Sequence, residues 1–329
     1  MRVDAEHVRL GSELPETRFM PSPPLSLIVV FHAMAREAPR TLSTLSAAYQ
    51  RGVTPADYEV IAVDAGSASP LSADLVSRQG PNFRLLRTPP APSPAAAVNL
   101  AARAATGQAI ALCIDGARML SPGIVAGMLS GLRMFADPVV ATLAWHLGPK
   151  GQNESILEGY DQDQEDRLLA TVDWRTDGYE LFRVAALAAS SAGGWFAPLN
   201  ESNCLAVTRS AWEELGGLDE RFRSPGGGLV NLDFYRRACD RASELVILLG
   251  EGTFHQVHGG VATNVPPERH PWRAFHDEYL AIRGAAFAAP AREAVYVGRC
   301  TSQALPFLAR SVAAARSVAS ARAAPPPAS

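Results

Sequence analysis

The chain has 329 residues, of which 47% are hydrophobic and 19% charged, a composition typical of a globular protein with a sizeable core. The formal net charge of −3 argues against a nucleic-acid partner, which would require a basic surface. The four cysteines are scattered without CxxC spacing, no signal peptide precedes the first strand, and the apolar runs are too short to span a bilayer. The sequence therefore predicts a cytoplasmic protein.

The first part of the chain alternates short apolar runs with helical patterns. Strands are predicted over residues 25–31, 58–63, 83–86, 109–114 and 139–145, and the first helix from Pro39 to a cap at Gly52. Because such alternation builds parallel strands covered by helices, the predicted fold class is α/β with a doubly wound, mainly parallel sheet. Ligands of these sheets bind outside the carboxyl ends of the strands, where the sequence has His32, Asp64 with Ser67, Asp115 and His146.

The pattern changes after residue 147. Four aromatic residues in irregular sequence are interpreted as part of an acceptor site: Trp174, Tyr179, Trp195 and Phe196. The acidic residues between 161 and 166 are interpreted as a solvated face. Apolar residues at helical spacing between 272 and 282 predict a helix that packs back on the body, and the Ala/Arg-rich tail beyond Arg310 is predicted to fray.

Five segments, in order, resemble those of the family-two glycosyltransferases, which share the GT-A fold. They are residues 25–31, 58–67 (YEVIAVDAGS), 97–107 (AVNLAARAATG), 113–118 (CIDGAR), which stands in the place of a metal-binding DxD, and 216–222 (GGLDERF). The resemblance covers roughly residues 25–260. It implies a nucleotide-sugar-binding lobe (25–146) and an acceptor-binding lobe (147–265), while the sequence pattern predicts a polar leader (1–24) and a C-terminal helical extension and tail (266–329).

The resemblance also implies an activity. A family-two enzyme transfers a sugar from a nucleoside-diphosphate donor to a carbohydrate or lipid-linked acceptor, here in surface-polysaccharide assembly, with peripheral membrane association. The expected enzyme is an inverting, hexosyltransferase-like protein that uses a divalent metal, Mn or Mg, to neutralise the departing diphosphate.

Three departures from the family pattern keep a second hypothesis open. The second acid after strand two is Ala65, the DxD has become Asp115-Gly116-Ala117, and the acid that usually acts as base is Asn231. A non-catalytic GT-A homologue that binds nucleotide or glycan, or scaffolds a partner, is therefore the alternative.

Donor binding is predicted for Asp64, Ser67 and Asp115 from the resemblance, for His32 from its place at the end of the first strand, and for Arg118 from its place beside Asp115. Asp64 and Ser67 could instead form an Asx-type turn, and Arg118 could be a solvated charge. For the metal, the predicted ligands are Asp115 with His255 or His258, although two histidines at this spacing are a weak signal by themselves.

Asp233 is predicted to be the base that activates the acceptor, because it is the carboxylate nearest to the usual position at Asn231. A strand or irregular segment would keep both side chains on one side, whereas a regular helix would turn Asp233 away. Glu201 is the fallback candidate.

Overall fold

The computed structural model describes residues 24–323. The predicted polar leader lies outside the described residues except for Pro24, and the proline run at 325–327 also lies outside them. Within the described part of the chain, no helix combines the length and the apolar character needed to cross a bilayer.

The strands of residues 24–323 form one ten-stranded sheet. They are β1 (Leu25–Phe31), β2 (Tyr58–Ala65), β3 (Phe83–Thr88), β4 (Ala109–Cys113), β5 (Arg118–Leu120), β6 (Val139–Leu147), β7 (Ala185–Leu187), β8 (Cys204–Thr208), β9 (Leu245–His255) and β10 (Ala294–Gly298). The order across the sheet is β10-β9-β6-β8-β4-β1-β2-β3, with β5 paired to β9 and β7 paired to β6. Residues 147–265 therefore contribute strands to the same sheet as residues 25–146.

The centre of the sheet is parallel and buried on both faces. β1 pairs in parallel with β2 on one side and with β4 on the other. Every residue of these three strands is buried. Parallel strands covered by helices read as continuous apolar runs, which is why the sequence pattern predicts them correctly.

One strand runs against the others in the main path of the sheet. β8 is antiparallel to both β4 and β6, so the two reversals return β6 to the direction of β4. β9 is parallel to β6. The carboxyl ends of β1, β4, β6 and β9 consequently meet at one edge of the sheet, which carries His32, Asp115, His146 and His255.

Asp64 and Asp115 are predicted to lie side by side at this edge. Asp64 is one of the last two residues of β2 and Asp115 follows β4, but β1 lies between these strands, so the two residues are not on neighbouring strands. The βα alternation therefore predicts that β2 and β4 run in the same direction, but it does not predict the order of the strands across the sheet.

The helices of the described residues are α1 (Ala38–Leu45), α2 (Ala73–Ser77), α3 (Ala95–Ala104), α4 (Ile124–Met134), α5 (Gln152–Ser155), α6 (Gln162–Leu169), α7 (Arg209–Leu215), α8 (Val230–Arg241), α9 (Trp272–Arg283) and α10 (Leu305–Ala323). α1 ends well before Gly52 because Ser46 has an extended backbone. The tail beyond Arg310 is helical to Ala323. α9 packs on the body through Phe275 and Tyr279, as predicted.

Three of the four aromatic residues assigned to an acceptor site belong to the core, and the fourth, Phe196, is partly buried against it. Trp174, Tyr179 and Trp195 are at most 3% exposed. Trp195 packs against Trp145 of β6 with ring centroids 5.4 Å apart. These side chains fill the space against the sheet, because large aromatic side chains are most stable when buried.

The acidic segment at 161–166 is only partly a solvated face. Glu165 of α6 is fully buried and accepts hydrogen bonds from the backbone N–H of Val257 (2.8 Å) and from Arg36 (3.2 Å). Burial raises the pKa of Glu165 to about 7, despite these partners. Periodicity alone could not reveal that partners from the segment before α1 and from the segment after β9 bind this carboxyl group in the interior.

Candidate active site

A cleft of about 750 Å³ opens at the edge of the sheet where β1, β4 and β6 end. Its polar lining includes His32, Asp115, Arg118, His146, Glu201 and Asn231. Sites for small molecules have volumes of about 300–1,000 Å³ and, in α/β sheets, lie outside the carboxyl ends of strands. The cleft is therefore the candidate active site.

Three potential metal ligands meet at this cleft: Asp115, His255 and His258, whose ligand atoms lie within 4.8 Å of one another. Nε2 of His255 is 2.8 Å from Oδ2 of Asp115 and 3.2 Å from Nε2 of His258. The fold brings them together because β5 pairs with the end of β9, with Arg118 opposite His255. One carboxylate and two imidazoles form a donor set suited to a divalent transition metal.

A buried hydrogen-bond network fixes the ring of His255. Gln152 is fully buried, and its Nε2 donates to the carbonyl oxygen of His255 at 2.9 Å. Its Oε1 accepts from Asn264 at 3.0 Å and lies 2.6 Å from Nδ1 of His255. Because this oxygen can only accept, Nδ1 of His255 carries the proton. Nε2 then turns its lone pair towards Asp115, which is the tautomer that binds a cation.

The electrostatics of the cluster follow from its burial. Burial opposes ionisation of Asp115, but His255, His258 and Arg118 outweigh it and hold the pKa of that carboxyl well below its usual range. Burial lowers the pKa of His255 to about 4, although Asp115 opposes the shift. Burial, together with His255 and Arg118, also holds the pKa of His146 well below its usual value. At neutral pH an ionised carboxylate thus faces a neutral imidazole.

Arg118 lines the cleft and has two buried guanidinium nitrogens that make no hydrogen bond among residues 24–323. It is 5% exposed and is one of the lining residues. Its Nε lies 3.8 Å from Oδ2 of Asp115, and neither Nε nor Nη1 has a hydrogen-bond partner among residues 24–323. Buried polar groups are normally paired, so two unpaired guanidinium nitrogens indicate an anionic ligand.

Asp64 and Ser67 shape a turn and do not line the cleft. Asp64 is 2% exposed, and its oxygens accept hydrogen bonds from the backbone N–H groups of Ser67 (3.0 Å) and Leu71 (2.6 Å). Oγ of Ser67 accepts from the backbone N–H of Ala33 at 2.9 Å. The structure thus favours the Asx-type turn over direct donor contact for this pair, whereas His32 does line the cleft.

Asp233 lies outside the cleft, contrary to the role predicted for it. α8 is a regular helix here, and residues two apart in such a helix point about 200° apart. Asn231 faces the cleft, while Asp233 is 1% exposed and bound to Arg237 (2.8 Å) and to Arg283 (2.6 Å for each oxygen). A carboxylate held between two guanidinium groups, away from the cleft, cannot activate an acceptor there.

Gln152 and Asn264 are the site residues that sequence reasoning missed. Gln152 begins the short helix α5 and Asn264 lies in an irregular segment, neither has a motif, and their contribution depends on contacts across more than a hundred residues of chain. The one available signal was position: Gln152 follows closely on His146 at the end of β6, where strand-end polar residues were already expected.

Comparisons with known proteins agree with this fold. Residues 26–129 match the family model described as Glycosyl transferase family 2. The sequence has no match among curated proteins. The structure is similar to that of Staphylococcus aureus TarS 1-349, with a TM-score of 0.50 and 14% identity, covering 89% of this chain and 72% of that chain.

Two further structures are similar at lower TM-scores. One of S. aureus TarS matches at 12% identity and a TM-score of 0.49, over 71% of this chain and 36% of that chain, so this chain spans well under half of that relative's length. The mannosyltransferase PcManGT from Pyrobaculum calidifontis, solved in complex with GDP-Man and Mn2+, matches at 18% identity and a TM-score of 0.45, over 93% of this chain and 76% of that chain. The family match and the similarity to TarS 1-349 confirm the resemblance predicted from the motifs: residues 26–129 match the family-two glycosyltransferase model, and the chain has the mixed α/β, mainly parallel GT-A fold.

Proposed function

We propose that this chain transfers a sugar, as an inverting hexosyltransferase, from a nucleoside-diphosphate donor to a carbohydrate or lipid-linked acceptor. The family-two match over residues 26–129 supports glycosyl transfer in general. The observation that carries the choice of donor is Arg118, which lines the cleft at the carboxyl edge of the sheet and whose buried Nε and Nη1 have no hydrogen-bond partner among residues 24–323.

A diphosphate is the anion that fits Arg118. When the bond between the sugar and the diphosphate breaks, negative charge develops on the phosphate oxygens. A guanidinium group can donate two parallel hydrogen bonds to such oxygens, and it acts most strongly where water is excluded. His32, at the end of β1, lines the same cleft and is proposed as a second donor contact.

The Asp115 cluster fits a divalent cation, Mn or Mg. With the tautomer of His255 fixed by Gln152, the lone pair of Nε2 faces a carboxylate oxygen at 2.8 Å, and a cation between these electron-rich atoms relieves their repulsion. Asp115, His255 and His258 would hold the cation, and two imidazole ligands suit Mn²⁺ better than Mg²⁺, which prefers oxygen. When bound, the cation neutralises charge on the departing diphosphate.

The acceptor side of the cleft draws on the later parts of the chain. Glu201 and Asn231 come from residues 147–265, whereas Trp272 and Phe275 come from α9. We therefore propose that residues 25–146 bind the donor and that residues 147–265, with part of 266–329, bind the acceptor. A cytoplasmic enzyme of surface-polysaccharide assembly, peripherally associated with a membrane that carries a lipid-linked acceptor, is the biological setting that we propose.

A non-catalytic GT-A homologue is the second candidate, and one observation favours it. Asn231 faces the cleft at the position where the family pattern has its acidic base, and an amide cannot take a proton at neutral pH. Such a protein would bind nucleotide or glycan without turnover, or scaffold a partner.

The experiment that separates these functions uses the full chain with UDP-glucose, UDP-GlcNAc and GDP-mannose, each with and without Mn²⁺. Thermal unfolding measures binding, and release of UDP or GDP measures turnover. We expect one donor to raise Tm more with Mn²⁺ than without it, and to be consumed. Binding of a donor without consumption of any would favour the non-catalytic homologue, and absence of binding would contradict both candidates.

A further inference from the structure

The loop in front of β8 brings a carboxylate to the cleft. β8 runs antiparallel to β4, so its first residue, Cys204, pairs with Cys113, the last residue of β4. Because β4 ends at the cleft, the loop that precedes β8 opens into the same cleft, where Glu201 is a lining residue. Among the described residues that line the cleft, Glu201 and Asp115 are the only carboxylates.

Asn231, in the first turn of α8, holds this carboxylate. Its Nδ2 donates to Oε2 of Glu201 at 3.2 Å. The bond also fixes the orientation of the amide, because in the reversed orientation its oxygen would face a carboxylate oxygen. Glu201 is thus held in one position by a residue that itself lines the cleft.

Oδ1 of Asn231 has an unsatisfied hydrogen-bonding capacity. The residue is 7% exposed, and this oxygen has no partner within the part of the chain that the structure describes. Buried polar atoms are normally paired, so the oxygen indicates a ligand that donates a hydrogen bond to it. A hydroxyl group bound in the cleft would supply that donor.

Neither of the other nearby acids is available as a base. Asp115 is in contact with His255 at 2.8 Å, and Asp233 is bound to Arg237 and Arg283 outside the cleft. An inverting transfer requires a group that takes the proton of the attacking hydroxyl. Glu201 is the remaining carboxylate that lines the cleft.

We propose that Glu201 is the catalytic base and that Asn231 binds the attacking hydroxyl through Oδ1 while it positions Glu201 through Nδ2; this assignment rests on the proposed function. The hydroxyl oxygen forms a bond to the anomeric carbon of the donor sugar, and its proton passes to a carboxylate oxygen of Glu201. The bond between the anomeric carbon and the phosphate oxygen breaks, and its electron pair leaves with the nucleoside diphosphate. The proposed base thus lies in the loop before β8, whereas the family pattern has its base at the position of Asn231 in α8.

The test compares Glu201→Gln with the double variant Glu201→Gln/Asn231→Asp, and uses Glu213→Gln, an exposed glutamate of α7, as a matched control. Each is assayed for release of UDP or GDP from the three donors named above, with water and methyl glucoside as acceptors. We expect Glu201→Gln to lower kcat by about a hundred- to ten-thousand-fold, because that is the usual effect of removing a general base. The stabilisation by UDP or GDP stays unchanged, and the acid limb of the pH profile of kcat/KM disappears.

The double variant restores a carboxylate beside the same hydroxyl, so we expect it to recover about tenfold or more of the lost turnover. If Glu201→Gln keeps wild-type turnover, the base assignment is overturned while the proposed function stands. If the wild type consumes no donor, the proposed function fails and the base assignment fails with it. If Glu201→Gln also loses nucleotide binding, the double variant decides: recovered turnover supports the assignment, and no recovery overturns it.

Discussion

Nε2 of His255 lies 2.8 Å from Oδ2 of Asp115, although 140 positions of sequence separate the two residues. The contact depends on β5, which pairs antiparallel with the end of β9 and places Arg118 opposite His255. The backbone N–H of Ala117 donates to Oδ1 of Asp115 at 2.9 Å, so Oδ2 is the oxygen left to face the imidazole. A three-residue strand thus assembles the proposed metal site.

Asp115→Asn tests the proposed metal site. The amide removes the negative charge from the only carboxylate of the cluster, and carboxylate is the ligand form that binds a divalent cation. We expect the affinity for Mn²⁺, titrated in the presence of UDP or GDP, to fall by about tenfold or more. Asp277→Asn, on the exposed face of α9, is the control and should bind Mn²⁺ like the wild type. Equal affinity in the wild type and Asp115→Asn would rule out Asp115 as a ligand.

Gln152→Met tests whether the tautomer of His255 is set by its neighbour. Methionine is similar in size but cannot accept from Nδ1, so the imidazole is free to protonate Nε2 instead. Loss of such an outer hydrogen bond typically weakens metal binding about ten- to a hundredfold, and we expect that range for Mn²⁺. Gln164→Met, on α6, replaces a glutamine that does not contact the cluster and serves as the control. Unchanged Mn²⁺ affinity in Gln152→Met would show that the network has no such role.

The parts of the fold and site that follow from local pattern could be predicted from the sequence. β1, β2 and β4 are buried and mainly apolar, and Asp115 follows the end of β4. Because parallel strands share a carboxyl edge, the pattern also predicts that strand-end polar residues gather there. The pairing of Asp115 with two late histidines came from the family resemblance and not from the pattern.

The parts that depend on tertiary contacts could not be predicted. Asp64 is an acid at the expected position, but its carboxylate oxygens accept hydrogen bonds from backbone N–H groups of the turn that follows it. Asp233 lies two positions from Asn231, and only the helical conformation of the segment shows that the two side chains diverge. Gln152 acts through a network whose members are distant in sequence and carry no motif.

Asp233→Asn should affect stability and not chemistry. Asp233 is 1% exposed and neutralises Arg237 and Arg283, so the amide leaves Arg237 without its counter-charge and Arg283 with Asp219 alone. Removal of one partner from a buried ion pair typically costs about 3–5 kcal/mol in the free energy of unfolding, and we expect a loss at the lower end of that range because both arginines are partly exposed. Urea unfolding measures it. Asp240→Asn, on the exposed face of the same helix, should cost less than about 1 kcal/mol.

The turnover of Asp233→Asn provides a second, independent test of the residue's role. Folded Asp233→Asn should retain the kcat of the wild type, because the residue lies outside the cleft. A drop in kcat of a hundredfold or more at unchanged nucleotide binding, which is the usual effect of removing a general base, would return Asp233 to the position of catalytic candidate.

Arg118→Met tests the proposed diphosphate contact. Methionine preserves much of the apolar stem of this buried side chain but removes the two guanidinium nitrogens that have no partner among residues 24–323. Removing one partner of a buried charged contact typically costs about 2–5 kcal/mol of binding, so we expect the Kd for UDP or GDP, measured by calorimetry, to rise about thirtyfold or more. Arg118→Lys should give an intermediate Kd, because an ammonium group keeps the charge but loses the two-pronged geometry. Arg273→Met, which changes an arginine that is 97% exposed on α9, should bind as the wild type does. If Arg118→Met binds UDP and GDP as tightly as that control, the diphosphate does not contact Arg118, and the argument that Arg118 selects a nucleoside-diphosphate donor fails.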